Sequence, residues 1–375
     1  MTHEPAPPTL RPAPRDGGRL GGVLAGGAVG LLLLLWMVTL AGRGVRAPPA
    51  TLALAVTVLP YLYAAVGAVL FGLWCVLPDR RVLPGVLAAL FLTATGLWGP
   101  SFPARGELAA GEPLRMMNWN LRRLWGGPDD GGDPKACVIA AIEAADPDLL
   151  TLLEVSRDDI DHLSEVLGLT CIHGDYFGTG ASHVGGLATC VRGDRLRLLG
   201  GKPQRFVDDE AWRYVFAEVE VEDRVFNLLA VHLRPYWPLE PRHLGEGVRG
   251  LAQGEPEALL DAGRAGGQVV QRQGGQTVAL LDRVSRFVDP TIVAGDFNST
   301  PDTSLHVGLR RHLVDAWARG GRGWGPTTRM SGWLPLRIDY VYVTEAFAVG
   351  GASVPGAGCS DHQAVVADLV LRDGP

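Results

Sequence analysis

The sequence predicts an α+β chain: β-sheets pack together under covering helices, behind three transmembrane helices. Three observations carry this. Short apolar runs alternate with helical stretches from residue 114 to residue 372, the pattern of stacked sheets with helices on their outer faces. Three long uncharged runs precede that region. The 47% hydrophobic content, high for a wholly soluble chain of 375 residues, is concentrated in those runs.

Residues 1–19 are Pro-rich and polar, the composition of a disordered tail. Residues 20–41, 50–77 and 82–99 carry no charge, and the last run is the shortest. About 20 apolar residues cross a bilayer, so each run reads as a transmembrane helix and residues 20–99 as a membrane domain. A cleaved signal peptide would account for the first run but not for the next two. Arg11, Arg15 and Arg19 precede the first run, and Arg80 and Arg81 lie between the second and third; Arg43 and Arg46 lie on the opposite side. That bias places the N-terminus inside and, after three crossings, the rest of the chain outside the cytoplasm. A third run lying on the membrane surface would leave it inside instead. Residues 100–113 read as a linker to a domain at 114–372.

The first hundred residues hold seven Arg and three acids, leaving 27 bases and 37 acids in the remainder, a net of −10. Nucleic-acid binders carry a basic footprint, because phosphate neutralisation dominates their affinity. The acidic balance disfavours a large duplex partner. Five cysteines occur without a CxxC pair, which suggests neither a zinc site nor a redox motif. Isolated buried cysteines are the expectation; a Cys171–Cys190 disulfide is the alternative if the domain is exported.

Along the domain, "LRMMNWNLRR" (114–123) reads as a strand. The helix in "DPKACVIAAIEAADPDLL" stops near Asp146-Pro147, since a residue before Pro is pushed out of the helical region. "DLLTLLEV" (148–155) is a buried strand. Further strands are "LATCVRG" (187–193), "WRYVFAEVEV" (212–221), "VFNLLAVHL" (225–233), "TIVAGDFN" (291–298), "RIDYVYV" (337–343) and "QAVVADLVL" (363–371). A Gly/Pro-containing insertion at 235–275 interrupts them, with a helix predicted over 255–273. Long insertions are usually functional or disordered. Tyr236 and Trp237 would suit a bilayer surface, so the insertion is a candidate for substrate choice, with an idle loop as the alternative. No internal repeat is found.

Several of these strands end in a polar residue. In "VAGDFNSTP" (293–301), strand alternation sends Asp296 and Asn298 to one face. Asn120 closes "MNWN", Glu154 ends "LLTLLE", His232 ends "LLAVH", Asp339 sits in "RIDYVYV", and Asp361-His362 precedes the last strand. Each alone has an ordinary explanation, as an edge acid, a half-buried His or a turn former. Their recurrence at strand ends points to one site. Phosphoester hydrolysis needs a hard cation with oxygen ligands, which Asn120, Glu154 and Asp361 offer. It also needs a His–carboxylate pair near the attacking water, which His362 and Asp339 offer. His232 would bind a phosphoryl oxygen or assist the leaving group, and Asn298 would donate where charge develops.

The ordered motifs "NWNL", "LLTLLEV", "AVHL", "GDFNSTP", "RIDYVYV" and "SDHQAV" resemble the endonuclease/exonuclease/phosphatase superfamily over residues 112–372. The resemblance implies a DNase I-like four-layer α/β/β/α sandwich with Mg²⁺ or Mn²⁺ in its cleft. It implies a metal at Asn120, Glu154 and Asp361, with Glu154 the principal ligand. It assigns Asp296 to the nucleophilic water, Asn298 and His232 to the phosphate, and Asp339 to orienting His362, the acid/base. One residue departs: the family's Gln before the metal Glu is Leu153 here. Three spans ahead of such a domain resemble a narrower bacterial membrane branch that includes a teicoplanin-resistance-associated (VanJ-like) type. For that branch the implied substrate is a phosphorylated molecule, such as a lipid-linked pyrophosphate. The expectation is thus a multi-pass, membrane-anchored phosphohydrolase, its catalytic domain extracytoplasmic, acting on a small-molecule or lipid phosphoester. A tethered nuclease, a sphingomyelinase-like phosphodiesterase and a binding protein with a dead site are the alternatives.

Overall fold

The computed structural model describes residues 101–102, 110–122, 132–176, 185–206, 209–234, 257–330, 334–356 and 358–373, with scattered positions between residues 27 and 87 and at 249 and 253. The chain divides into two compact units, Met1–Met37 with Leu59–Gly96 and Val38–Val58 with Leu97–Pro375; every element below belongs to the second. The expected tail, the three apolar runs, most of the linker and residues 235–248, with Tyr236 and Trp237, lie largely or wholly outside the described residues. Among the described residues no helix is long and apolar enough to cross a membrane.

Two six-stranded sheets form the domain. The first has the order β13 (Phe347–Ser353), β14 (Val365–Arg372), β1 (Gly111–Asn120), β2 (Leu149–Val155), β4 (Gly186–Arg192), β3 (Leu169–Asp175). The second has the order β5 (Leu196–Phe206), β6 (Asp209–Val221), β7 (Arg224–His232), β8 (Thr291–Asp296), β12 (Asp339–Val343), β9 (Val314–Asp315). A two-stranded ribbon, β10 (Thr328–Met330) and β11 (Leu334–Leu336), stands apart. The expected strands are present with shifted ends. Alternation was too weak to reveal β3, β5, β9, β10, β11 and β13.

Alternation divides each strand between two apolar layers. Leu114 and Met116 of β1, Leu228 of β7, Ile292 and Ala294 of β8, Val341 and Val343 of β12, and Ala367 and Leu369 of β14 share one core between the sheets. The opposite face of the first sheet, with Met117, Trp119, Leu150 and Leu152, is covered by α1 (Pro134–Ala145) and α2 (Arg157–Leu167) through Val138, Ile142, Ile160 and Leu163. The outer face of the second sheet, with Leu229, Val231, Val293, Tyr340 and Tyr342, is covered by Leu280 and Val284 of α3 (Glu257–Val284) and by Leu305 and Leu309 of α4 (Ser304–Leu309). These are the four layers expected. Helix α3 runs beyond the predicted 255–273.

Local signals place the helices of the first layer. Asp133 caps α1 by accepting from the Lys135 N–H at 3.0 Å, and Pro opens the helix. Ser156 caps α2 through the Asp159 N–H, and Gly168, with φ 66°, closes it in the left-handed conformation.

The cysteine expectation is corrected. Four of the five pair, Cys137 with Cys359 and Cys171 with Cys190, leaving Cys75 as the free thiol. The Cys171–Cys190 pair named as the alternative is present, its residues facing each other in register on β3 and β4. The other pair is 222 residues apart in sequence and comes together only through the fold.

Ahead of β12, Arg337 makes a bidentate pair with Asp315, Nη1 to Oδ1 at 3.0 Å and Nη2 to Oδ2 at 2.8 Å, both side chains buried. The guanidinium also lies 4.5 Å from the Tyr340 ring centroid. Removing one partner strands a buried charge. Asp315→Ala is therefore expected to destabilise the domain by about 3–5 kcal/mol, measured by urea unfolding, whereas Asp315→Leu combined with Arg337→Met should recover most of that loss.

Candidate active site

The site begins as one rung across three neighbouring strands. Pairing aligns His232 of β7 with Asp296 of β8, and Asp296 with Asp339 of β12. All three have the parity of the inter-sheet core and are buried. His232 and Asp296 close the strands that the sequence marked as ending in polar residues, and Asp339 opens β12. Gly295 is required beside them: a Cβ there would land on the Val231 carbonyl oxygen of the adjacent parallel strand.

The first sheet supplies the facing wall. Leu114, Met116, Asn118 and Asn120 share the inward face of β1. Asn118 Nδ2 donates to the Gly295 carbonyl at 3.1 Å, and Thr151 Oγ1 donates to Asn118 Oδ1 at 2.7 Å, a polar bridge between the sheets. One step higher, Asn120 Nδ2 donates to Glu154 Oε1 and to Asp296 Oδ2, each at 3.1 Å.

Glu154 reaches that position against the period of its strand. Leu150 and Leu152 face the helices, and simple alternation would send Glu154 after them. The β2–β4 register shifts between Leu153 and Val155, and Glu154 takes a left-handed backbone with φ 52°. That irregularity turns the carboxylate inward. Leu153, the departure from the family's Gln, is fully buried between the sheets with Tyr176, Leu187, Val215 and Ala230. An apolar contact thus occupies the position.

His362 arrives from the segment between β13 and β14. Its Nδ1 lies 2.8 Å from Asp339 Oδ2 and 3.9 Å from Asp296 Oδ2. Ser360 Oγ donates to the Asn120 carbonyl at 2.8 Å, and Trp119 Nε1 donates to the His362 carbonyl at 3.0 Å, fixing the segment to β1.

Two predicted residues sit at the margin. Asn298 lies beyond the end of β8 with φ 49°; its N–H donates to Asp296 Oδ1 at 2.7 Å and its side chain to the Leu233 carbonyl at 2.9 Å. It belongs to an Asp–Asn turn, so strand alternation does not set its direction. Asp361 is exposed, with Oδ2 3.1 Å from Arg122 Nη1. The Arg122 N–H also donates to Asn120 Oδ1 at 3.0 Å.

Burial and crowding shape the electrostatics. Burial, with the Asp339 charge, holds the Asp296 carboxyl well above the usual carboxylate range against His362, Asn298 and Asn120. Burial alone would lower His362, but Asp339, with Asp296 and Asp361, outweighs it and leaves the imidazole pushed up to about 10. His232 is lowered by burial against the opposing charge of Glu154. Its Nδ1 lies 2.5 Å from the Tyr176 hydroxyl, which also accepts the Glu154 N–H at 3.0 Å. The other ring nitrogen, Nε2, faces the acids. That nitrogen is 3.7 Å from Asp296 Oδ2 and 4.0 Å from Glu154 Oε1.

The donor set fits a divalent cation. Its acids, Glu154, Asp296, Asp339 and Asp361, are oxygen donors, the ligand type of Mg²⁺ and Mn²⁺. Among the described residues, the cluster whose ligand atoms lie within 4.8 Å of one another is Asp296, Asp339 and His362, not the predicted Asn120, Glu154 and Asp361, and the buried Asp339 Oδ1 has no hydrogen-bond partner. An orphaned carboxylate oxygen among acids is what a bound cation would satisfy.

Sequence reasoning missed the supporting residues: Tyr176, Asn118, Thr151, Arg122, Ser360 and Thr327, whose hydroxyl accepts from the backbone of Ile338 and Asp339. Asn118 was within reach, sharing the parity of Asn120 in "MNWN". Tyr176 closes a strand that gave no clear signal.

The sequence profile of the Endonuclease/Exonuclease/phosphatase family matches residues 117–362, about two thirds of the chain. Protein angel homolog 1 of Homo sapiens is 29% identical over 221 residues, 55% of this chain and 29% of that protein. Its Rattus norvegicus counterpart is 28% identical over 204 residues, 52% and 26% of the two. The chain therefore spans less than a third of the length of these curated relatives. Among solved structures, an endonuclease/exonuclease/phosphatase from Bacteroides vulgatus shares the fold with a TM-score of 0.51 at 18% identity, covering 69% of this chain and 99% of that one. One from Beutenbergia cavernae does so at 0.51 and 22%, covering 70% and 73%.

Tyr176→Phe removes the hydroxyl that links His232 to the Glu154 backbone. A tenfold drop in kcat is expected, about the 1.4 kcal/mol scale of one buried hydrogen bond. Steady-state kinetics on a chromogenic phosphoester, with circular dichroism to confirm folding, tests it; unchanged kcat would show the hydroxyl to be dispensable.

Proposed function

The chain belongs to the endonuclease/exonuclease/phosphatase family, and we propose that it is a phosphoric ester hydrolase. It acts as a membrane-anchored enzyme, with its domain outside the cytoplasm, that hydrolyses a small or lipid-linked phosphoester or pyrophosphate with a divalent cation. The observation that carries the reading is the rung of His232, Asp296 and Asp339 facing Asn120 and Glu154 across the sheets.

In this mechanism Glu154, Asn120 and Asp361 would hold the cation. Mg²⁺ or Mn²⁺, when bound, neutralises phosphoryl oxygens and lowers the barrier to attack. Asp296 accepts the proton of the attacking water; its raised affinity for protons suits a base. The His232 Nε2–H donates to a phosphoryl oxygen, and Asn298 helps to orient the same group. Asp339 holds the His362 ring through Nδ1, and the charged imidazole stabilises negative charge and supplies a proton to the leaving oxygen.

Three observations support the setting. Two disulfides suit an oxidising compartment outside the cytoplasm. The apolar runs before residue 100 suit an anchor, as in the VanJ-like branch. The net of −10 beyond residue 100 favours a small or lipid-borne phosphate over duplex DNA. Labelling intact cells with a membrane-impermeant reagent tests the orientation, and a protected domain would refute it.

EDTA is expected to abolish phosphate release and Mg²⁺ or Mn²⁺ to restore it. Glu154→Gln should raise the Mg²⁺ concentration for half-activity by about ten- to a hundredfold while folding persists. His362→Ala should cost about 10²–10⁴ in kcat. The full chain in detergent, given a lipid pyrophosphate, a nucleotide and a supercoiled plasmid, tests substrate class. Release from the lipid supports the proposal; Mg²⁺-dependent nicking without it would make the enzyme a tethered nuclease.

A further inference from the structure

The two disulfides differ in what they hold. Cys171–Cys190 joins residues that face each other on adjacent strands already paired along their length. Cys137–Cys359 instead ties the segment carrying Asp361 and His362 to α1. That segment is neither helix nor strand from Gly358 to Ser360, and Gly358 turns it with φ 68°. Downstream of Cys359 it is secured by side-chain and loop hydrogen bonds: Ser360 to the Asn120 carbonyl, Trp119 to the His362 carbonyl, and Thr328 Oγ1 to the Asp361 carbonyl at 3.0 Å. At Cys359 itself, buried and one residue from Ser360, the anchor is covalent.

The other end of that anchor is firm. Helix α1 is capped at Asp133, begins with Pro, and buries Val138 and Ile142 against the layer that holds Trp119. Beside Cys137 lies a groove of about 590 Å³ lined also by Ala141, Pro355, Gly356 and Ala364. It opens onto Cys137 and gives a small thiol access to that end of the bond.

We propose that the Cys137–Cys359 disulfide is a positioning element for Asp361 and His362, so that a small dithiol switches hydrolysis down without unfolding the domain. The inference rests on the catalytic reading of that pair. In the switching step one thiolate of the dithiol attacks a sulfur of the bond and its second thiol displaces the resulting mixed disulfide. Two protein thiols and the reagent's cyclic disulfide result, two electrons passing from reagent to protein. A placement error of about 1 Å at a reacting centre costs on the order of a hundredfold in rate.

The test compares the full chain in detergent, oxidised or treated with dithiothreitol, with the double variants Cys137→Ala/Cys359→Ala and Cys171→Ala/Cys190→Ala. Kinetics on a chromogenic phosphoester and amide hydrogen exchange are read together. Reduction and the first variant should each lower kcat by about a hundredfold, with KM within about threefold, and accelerate exchange at 358–363 alone. The second variant should keep kcat within about threefold, even when reduced protein does not. Wild-type kcat in the first variant with unchanged exchange at 358–363 would overturn the proposal. So would accelerated exchange spread through α1 and β1, which would make the bond a general staple. A wild-type protein inactive on every phosphoester would sink the functional reading instead, and the exchange result would still decide whether the bond holds the segment.

Discussion

The site depends on one amide. Asn120 projects from the first sheet and gives one N–H to Glu154 and the other to Asp296 of the second sheet. Two carboxylates this close repel each other, and burial penalises the charge on Asp296. A neutral double donor between them relieves both problems without adding charge. Its carbonyl oxygen is also engaged, by the Arg122 N–H, so the amide has one orientation that satisfies its partners. The cleft is thereby held at a width set by hydrogen bonds, while the apolar core below holds the sheets together.

Around that amide the polar groups form a graded system. Asn118 and Thr151 bridge the sheets below the acids, where no charge is present. The charged rung lies one step higher, and Asp361 and Arg122 meet at the exposed rim. Tyr176 links the two walls again, touching His232 on one and the Glu154 backbone on the other. Leu153 shows how much of this shell can be apolar: the residue is sealed in the inter-sheet core while Glu154 keeps its place through the backbone. Its neighbour bears the cost. A non-glycine residue in the left-handed region costs about 1–3 kcal/mol, and such strain persists only where the surroundings enforce it.

The setting of the site follows from elements far apart in sequence. The parallel neighbours β7 and β8 bring His232 beside Asp296 only because the chain leaves the sheet and returns through α3. Asp339 joins them by antiparallel pairing, and the buried Asp315–Arg337 pair anchors the approach to that strand. The Cys137–Cys359 bond closes the last gap, between the segment of His362 and the outer helical layer.

Much of this was legible in the chain itself. Apolar runs ending in Asn120, Glu154, His232 and Asp296 were visible because strand alternation and burial leave a period-two record, and a polar residue closing such a run is conspicuous. Their order also carried the family's identity, and with it the four layers. Tertiary structure decided what that periodicity does not encode. The register of three strands made one rung, and the bulge at Glu154 reversed the face alternation assigns. The turn at Asn298 replaced a strand that the sequence appeared to continue. Cysteine pairing and the Tyr176 contact depended on neighbours up to 222 residues away. A local pattern records which way a side chain faces along its own strand; which partner it meets is set by packing between strands, and no single stretch of sequence contains that.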